Sequence, residues 1–348
     1  MRVIVTGGAG RVGKALVDRL SRNGHEVRVI GRRKNLEFEN AEYLSCNITD
    51  YDELREMIHG MQAIVHLAAI PGPEYHTGDV IFETNCRGTF NVYQAAAEEG
   101  IDRICCTSSI NFLGITFGKR PMPVRYFPVD EDHPGFTTDA YSFSKHIMED
   151  IAAYFWRRER ISSTCIRLPG VYQQGSQKLE DLYDEVRKAR DGIAELMEMP
   201  QAERVLEVRK MVNVNSEAKQ KYFRTNRHHN LPPEIRQLYR SRKFAPVWRA
   251  YGVSDFWAGI SDTDAARAME QAITLEYTGC HPIFVNDSIN NLGVDANLLA
   301  DLFFPEIHAR KRELVGKESL VSIERARNLL GFEPEFHLGL EVDNKTDI

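Results

Sequence analysis

The chain opens on a short apolar run, Met1 to Val5, which breaks into Thr6-Gly7-Gly8-Ala9-Gly10-Arg11-Val12-Gly13 and then an amphipathic segment from Lys14 to Arg22. A strand, a tight glycine turn and the first turn of a helix account for this order. The spaced glycines have separate tasks. Gly7 permits the turn, Gly10 lets an anionic group approach N–H groups at the helix N-terminus, and Gly13 lets the helix lie close to the strand. A second strand pattern, Glu26 to Ile30, follows after one helix length. That context turns a weak glycine pattern into the expectation of a dinucleotide site.

Strand and helix signals then alternate. Glu42 to Cys46 reads as a third strand, and Asp50 caps a helix over Asp52 to Met57. Ala63 to Ala69 is a buried strand whose last residues, Leu67, Ala68 and Ala69, leave room for a cofactor against the backbone. His66 within it reads as a satisfied structural residue. A long helix is expected over Asp79 to Glu99, then a strand over Ile101 to Thr107 ending in Ser108-Ser109-Ile110-Asn111. Residues 112–138 read as a long functional loop. A helix over 139–158 carries Phe143, Ile147, Ile151 and Phe155 as its apolar face, and Ser163 to Leu168 is a sixth strand. Six alternations predict an α/β fold with a doubly wound parallel sheet. Further on, Asp264 to Ile273 and Ser322 to Leu330 read as helices and Pro282 to Val285 as a strand.

The dinucleotide domain is therefore expected over 1–172, with 256–287 returning to it. Residues 173–255 and 288–348 are expected to form a smaller, mostly helical substrate-binding region. Within it Lys219 to Arg249 holds nine basic side chains and one acid, Glu234. That stretch is either a solvated face or a site for a substrate phosphate or carboxylate.

The second strand ends at Gly31-Arg32-Arg33. A carboxylate here would hold the adenosine ribose hydroxyls of NAD, and Gly31 removes it. Arg32 and Arg33 suit a 2′-phosphate instead, so NADP is favoured over NAD. Tyr141 and Lys145 are four residues apart and share one helical face. A phenol has a pKa near 10, and an ammonium beside it favours the phenolate. Such a pair exchanges a proton with a substrate alcohol as hydride leaves its carbon, and a hydroxyl from Ser109 holds the same oxygen.

A net charge of −6 gives no drive toward nucleic acid or anionic membranes, and 43% hydrophobic residues suffice for a large core. No apolar run reaches membrane-spanning length, and the chain is expected to be cytoplasmic. Six cysteines without a C-x-x-C pair read as buried, reduced thiols, and no metal site is expected.

With these motifs the chain resembles the extended short-chain dehydrogenase/reductase superfamily, and within it the NAD-dependent epimerase/dehydratase family. The resemblance covers residues 1 to about 172 and resumes at Asp262 to Ala268 and Leu330 to Pro334. It implies cofactor contacts at Gly7, Gly10, Arg11, Val12 and Gly13, at Asn47 and Ile48, at Leu67, Ala68 and Ala69, and at Thr107, Tyr141, Lys145 and Pro169. Ser109, Tyr141 and Lys145 match its catalytic trio, and Asn85 its helix asparagine. Ile110 and Asn111 replace the acids of its dehydratases, which disfavours elimination. Gly170 and Gln173 stand where many nucleotide-sugar members carry Asn and Gly. The resemblance also implies a homodimer through the helices at 79–99 and 139–158. Together these features predict reversible hydride transfer at a secondary alcohol of a sugar or nucleotide sugar. The alternative is a simple dehydrogenase of a free sugar, a uronate or another small, possibly anionic, hydroxy compound; a non-catalytic dinucleotide-binding regulator comes third.

Overall fold

The computed structural model describes residues 1–73, 76–222, 233, 237 and 255–344. Its strands are β1 (Arg2–Thr6), β2 (Glu26–Gly31), β3 (Glu42–Ser45), β4 (Ala63–His66), β5 (Arg103–Ser109), β6 (Ser162–Leu168), β7 (Gly170–Tyr172), β8 (Gly259–Ser261) and β9 (Cys280–Phe284). Seven of them form one sheet in the order β3-β2-β1-β4-β5-β6-β9, with every neighbouring pair parallel. The chain reverses its direction of progress between β1 and β4, which opens a crevice at the carboxyl ends of these strands. β7 and β8 pair separately as a short parallel ribbon.

The helices of the first half are α1 (Arg11–Arg22), α2 (Tyr51–Ile58), α3 (Gly78–Phe82), α4 (Gly88–Glu98) and α5 (Ala140–Glu159). Beyond β7 come α6 (Gln177–Glu198), α7 (Gln201–Tyr222), α8 (Asp262–Thr274), α9 (Ala296–Phe303), α10 (Glu324–Leu330) and α11 (Leu338–Asn344). Alternate residues of each strand serve opposite faces. Val3, Val5, Val29 and Val65 pack with α1 and α8, while Ile4, Ile30, Ile64 and Cys106 pack with α2, α4 and α5. Burial on both faces explains why these strands read as continuous apolar runs rather than alternating ones. A third core joins the loop after β5 to α6, α7, Trp257 and α9.

Two glycines of the opening turn are required by space. Gly7 has φ +72°, and a Cβ there would stand 2.7 Å from the Ala68 nitrogen. A Cβ on Gly13 would stand 2.5 Å from the Gly8 Cα.

Two expectations need correction. The long helix over 79–99 is three pieces, because a π-helical turn at Glu83–Arg87 separates α3 from α4. Such a turn inserts one residue into an otherwise continuous helical run, and no residue type at Glu83–Arg87 marks it. The buried face of α5 is also not the one its apolar stripe indicates. Tyr141, Ser144, Lys145, Met148 and Ala152 face inward, whereas Phe143 is 43% exposed and Ile147 and Ile151 are half-buried. The polar pair turns inward, with Lys145 on Thr107 of β5, and Phe143 turns outward, while Phe155 at the far end of the apolar stripe is fully buried. Of the basic stretch Lys219–Arg249, all but the end of α7 and residues 233 and 237 lies outside the described residues.

Candidate active site

The crevice begins at the glycine turn. α1 is a twelve-residue helix whose N-cap, Gly10, offers no side chain to its first N–H groups. By contrast α2, α5, α6, α8 and α9 are each capped by their own Asp or Ser. The N–H groups of Arg11 and Val12 thus open α1 with the positive end of its dipole and no internal anion. That arrangement fits a pyrophosphate.

Beside the turn lies a cleft of about 470 Å³. Gly7, Ala68 and Ala69 line one side, Asn47 and Ile48 the other, and Gly31, Arg32 and Arg33 the rim. Eight residues assigned from sequence therefore meet in one space. Tyr43, Cys46 and Thr84 line it as well and were missed. Thr84 sits on the π-helical turn, and nothing in the sequence marks it. The Tyr43 hydroxyl donates to the Arg33 carbonyl at 2.8 Å and holds the rim turn in place. The Asn47 amide oxygen accepts from the Thr49 N–H at 3.3 Å, which shapes its own loop. Leu67 and Val12 pack against the core rather than lining the cleft.

Behind the cleft runs a buried chain of hydrogen bonds. The Ala68 N–H donates to the Thr6 hydroxyl at 3.1 Å, and that hydroxyl meets His66 Nδ1 at 2.7 Å. His66 Nε2 meets the Thr89 hydroxyl at 3.0 Å, which in turn donates to the Asn85 carbonyl at 2.5 Å. A neutral imidazole with its proton on Nε2 satisfies every link. Complete burial draws the His66 pKa down to about 3, in keeping with that form. The Asn85 amide exchanges two bonds with the backbone of Ile70 and donates to Ser144 on α5 at 2.9 Å. His66 and Asn85 thus tie the cleft floor to the helix that carries Tyr141.

Asp139 caps α5 by accepting from the Ser142 N–H at 2.8 Å, which fixes the first turn and Tyr141 within it. Tyr141 is 7% exposed, and Phe117 of the loop after β5 stands edge-on to its ring at 5.5 Å. Lys145 is buried one turn on. Its ammonium donates to the Thr107 carbonyl at 2.8 Å and lies 5.8 Å from the centre of the Tyr141 ring. Burial pushes its pKa down to about 8, against the opposing pull of Cys106, Cys86 and Glu149. Ser109 ends β5, where its hydroxyl accepts from the Asn111 backbone N–H at 3.1 Å. Two buried polar atoms nearby, Thr107 Oγ1 and Asn111 Oδ1, have no partner among the described residues. Pro169 follows β6 and is buried. Among the described residues no cluster of His, Cys, Asp and Glu is arranged for a metal, and no helix is long and apolar enough to cross a membrane. The six cysteines are free thiols, five of them buried.

The model of the NAD dependent epimerase/dehydratase family matches residues 3–199. The chain belongs to that family. Its members among curated relatives include an L-arabinose 1-dehydrogenase (NAD(P)(+)) of Haloferax volcanii, 39% identical over 108 residues, or 31% of this chain and 41% of that protein. A putative UDP-glucose 4-epimerase of Methanocaldococcus jannaschii is 30% identical over 184 residues, 49% of this chain and 56% of that one. The chain thus spans about half the length of these relatives. Its fold is similar to that of a mutated uronate dehydrogenase, with a TM-score of 0.58 and 17% identity over 100% of this chain and 87% of the other. The family and the doubly wound fold expected from the motifs are both borne out.

Proposed function

We propose that the chain is an NAD(P)-dependent oxidoreductase acting by reversible hydride transfer at a secondary alcohol carbon of a sugar or nucleotide sugar. The observation that carries this reading is the inward face of α5. Tyr141 and Lys145 are buried together on it, and Lys145 is anchored to β5 two residues before Ser109. A helix that turns a phenol and an ammonium inward while leaving Phe143 outside is organised for chemistry rather than for packing. Tyr141 serves as the general acid/base, Ser109 holds the reacting oxygen, and Lys145 favours the phenolate. A bound nicotinamide supplies the hydride acceptor or donor. Residues 173–255 and 288–348 supply the substrate side.

Net oxidation or reduction is favoured over epimerisation by the cationic rim at Arg32 and Arg33, which suits an exchangeable phosphorylated cofactor. The test uses L-arabinose, D-glucuronate and UDP-glucose with NAD and with NADP. Absorbance at the reduced-nicotinamide band that changes mole for mole with product marks a dehydrogenase. Stoichiometric cofactor released on denaturation, with conversion and no net absorbance change, marks an epimerase. Neither result across the set would overturn the proposal.

The outward stripe of α3, α4 and α5 fits a second copy of the chain. Phe82 (46% exposed) stacks on Phe143 at 6.2 Å, and Phe90 (40%) stacks on Tyr154 at 6.3 Å. Four exposed aromatics in two stacked pairs form a patch that association would cover. Sedimentation should find a dimer, and Phe82→Glu with Phe143→Glu should shift it to monomer. A monomeric wild-type protein would remove this interface.

A further inference from the structure

Ser109 ends β5, and the chain turns at once into a short 3₁₀ helix, Ile110–Leu113. Three of its side chains, Ile110, Phe112 and Leu113, enter the third core. The remaining one, Asn111, is polar and only 8% exposed. Both of its nitrogens face the Ser109 oxygen. The backbone N–H donates to that oxygen at 3.1 Å, and the side-chain Nδ2 donates more loosely at 3.4 Å. The amide oxygen Oδ1 is buried and has no partner among the described residues.

A serine hydroxyl has one proton to give and two lone pairs that receive. Asn111 turns a donor to each lone pair. Ser109 is thereby left as a donor, and its proton goes to the Leu168 carbonyl at 3.5 Å, a long bond that is easily exchanged. In that state Ser109 takes no proton from a substrate alcohol. It gives a hydrogen bond to the reacting oxygen and leaves proton transfer to the phenol. Capping the turn does not account for the amide, because that needs only the backbone N–H, which every residue but proline supplies. A buried acceptor calls for a donor of its own. Oδ1 shares its carbon with the nitrogen that faces Ser109, so it lies one group away from the oxygen that Ser109 holds. In a sugar that next group is the hydroxyl on the neighbouring carbon.

We propose that Asn111 determines specificity for a second substrate hydroxyl, on the carbon beside the one that exchanges hydride. Its Oδ1 accepts from that hydroxyl, while its two N–H groups hold Ser109 as a donor to the reacting oxygen. The reduced substrate is then a vicinal diol and the oxidised one an α-hydroxy carbonyl compound. An isolated secondary alcohol is a poor substrate, because it leaves the buried acceptor unpaired. This rests on the hydride-transfer reading above, in which Ser109 and Tyr141 share the reacting oxygen.

Each sugar is compared with the analogue that lacks only this hydroxyl: L-arabinose with 2-deoxy-L-ribose, D-glucuronate with 2-deoxy-D-glucuronate, and UDP-glucose with UDP-3-deoxyglucose. The pair used is the one whose full sugar the wild-type enzyme converts, and kcat/KM is measured for both members. Wild type should favour the full sugar by at least ~10-fold, as expected when a buried acceptor is left unpaired. Asn111→Ala should bring the ratio to within about twofold, since neither sugar then meets the acceptor. Asn111→Asp keeps an acceptor and loses the donor. Its ratio should stay at the wild-type value while kcat falls by at least ~10-fold, because Ser109 turns its proton to the carboxylate. Each ratio is taken on one protein, so the folded fraction cancels from it. Equal kcat/KM for both members of the pair in wild type would overturn the proposal. So would an Asn111→Ala variant that keeps the wild-type ratio, or an Asn111→Asp variant that keeps the wild-type kcat. Conversion of none of the three sugars would overturn the proposed function itself, and this inference with it.

Discussion

Tyr141→Phe is expected to lower kcat by at least ~100-fold, the lower end of what a positioned acid/base contributes. Only a hydroxyl is removed. The ring keeps its edge contact with Phe117, and the Asp139 cap that fixes the first turn of α5 is untouched. Thermal midpoint and cofactor affinity should therefore stay at wild-type values. The pH dependence gives a second readout. Oxidation needs the phenol deprotonated, so the wild-type rate rises with pH until that proton is lost. Lys145, with a pKa near 8, loses its charge over the upper part of the same range and then ceases to favour the phenolate. The residual rate of Tyr141→Phe should lose the rising limb, because the titrating group is gone. Steady-state rates between pH 6 and 10 decide it. A variant that keeps a tenth of the wild-type rate and an unchanged profile would take Tyr141 out of the chemistry.

The placing of the glycine turn and of the Tyr141–Lys145 pair was legible because each has a narrow geometric requirement. A glycine turn before a helix needs Gly7 and Gly13 where a Cβ would meet backbone within 3 Å. A phenol–ammonium pair on one helical face needs a spacing of four, and Tyr141 and Lys145 show it. The orientation of α5 was not legible. Its apolar residues form a clean helical stripe, and periodicity assigns such a stripe to the core. Here only Phe155 of that stripe is fully buried and Phe143 points outward, because the inner face is held by polar groups that satisfy one another: Lys145 with Thr107, and Glu149 with Ser108 and Arg167. Periodicity records which side of a helix is apolar but not whether the polar side has partners waiting. The same blindness hid Tyr43 and Thr84. The first looks like an ordinary strand residue, and the second owes its place to a π-helical turn.

Arg167→Met is expected to cost about 3–5 kcal/mol of stability, the usual penalty for breaking a buried ion pair from one side. Arg167 ends β6 at 2% exposure, and Glu149 of α5 is 6% exposed. Its Nε and Nη2 donate to the two carboxylate oxygens at 2.9 and 2.8 Å, and the Ser108 hydroxyl donates to the same carboxylate at 2.6 Å. The guanidinium lies flat on Phe112, 3.6 Å from its centre, with Phe284 at 5.1 Å. Apolar surroundings of this kind make the pair strong and each lone member expensive. Without the arginine, Glu149 keeps only the Ser108 hydroxyl and is left as a buried charge with no counter-ion. Arg167→Met with Glu149→Met should recover most of the loss, since no charge is then stranded. Urea unfolding of the single and double variants tests this. A single variant within 1 kcal/mol of wild type, or a double variant no better than the single, would show that the pair does not hold the end of β5 to α5. If recovery is seen, the double variant separates stability from positioning. Ser108 will have lost its carboxylate partner beside Ser109, so a fall in kcat at restored stability would assign the pair the task of aiming the Ser109 hydroxyl.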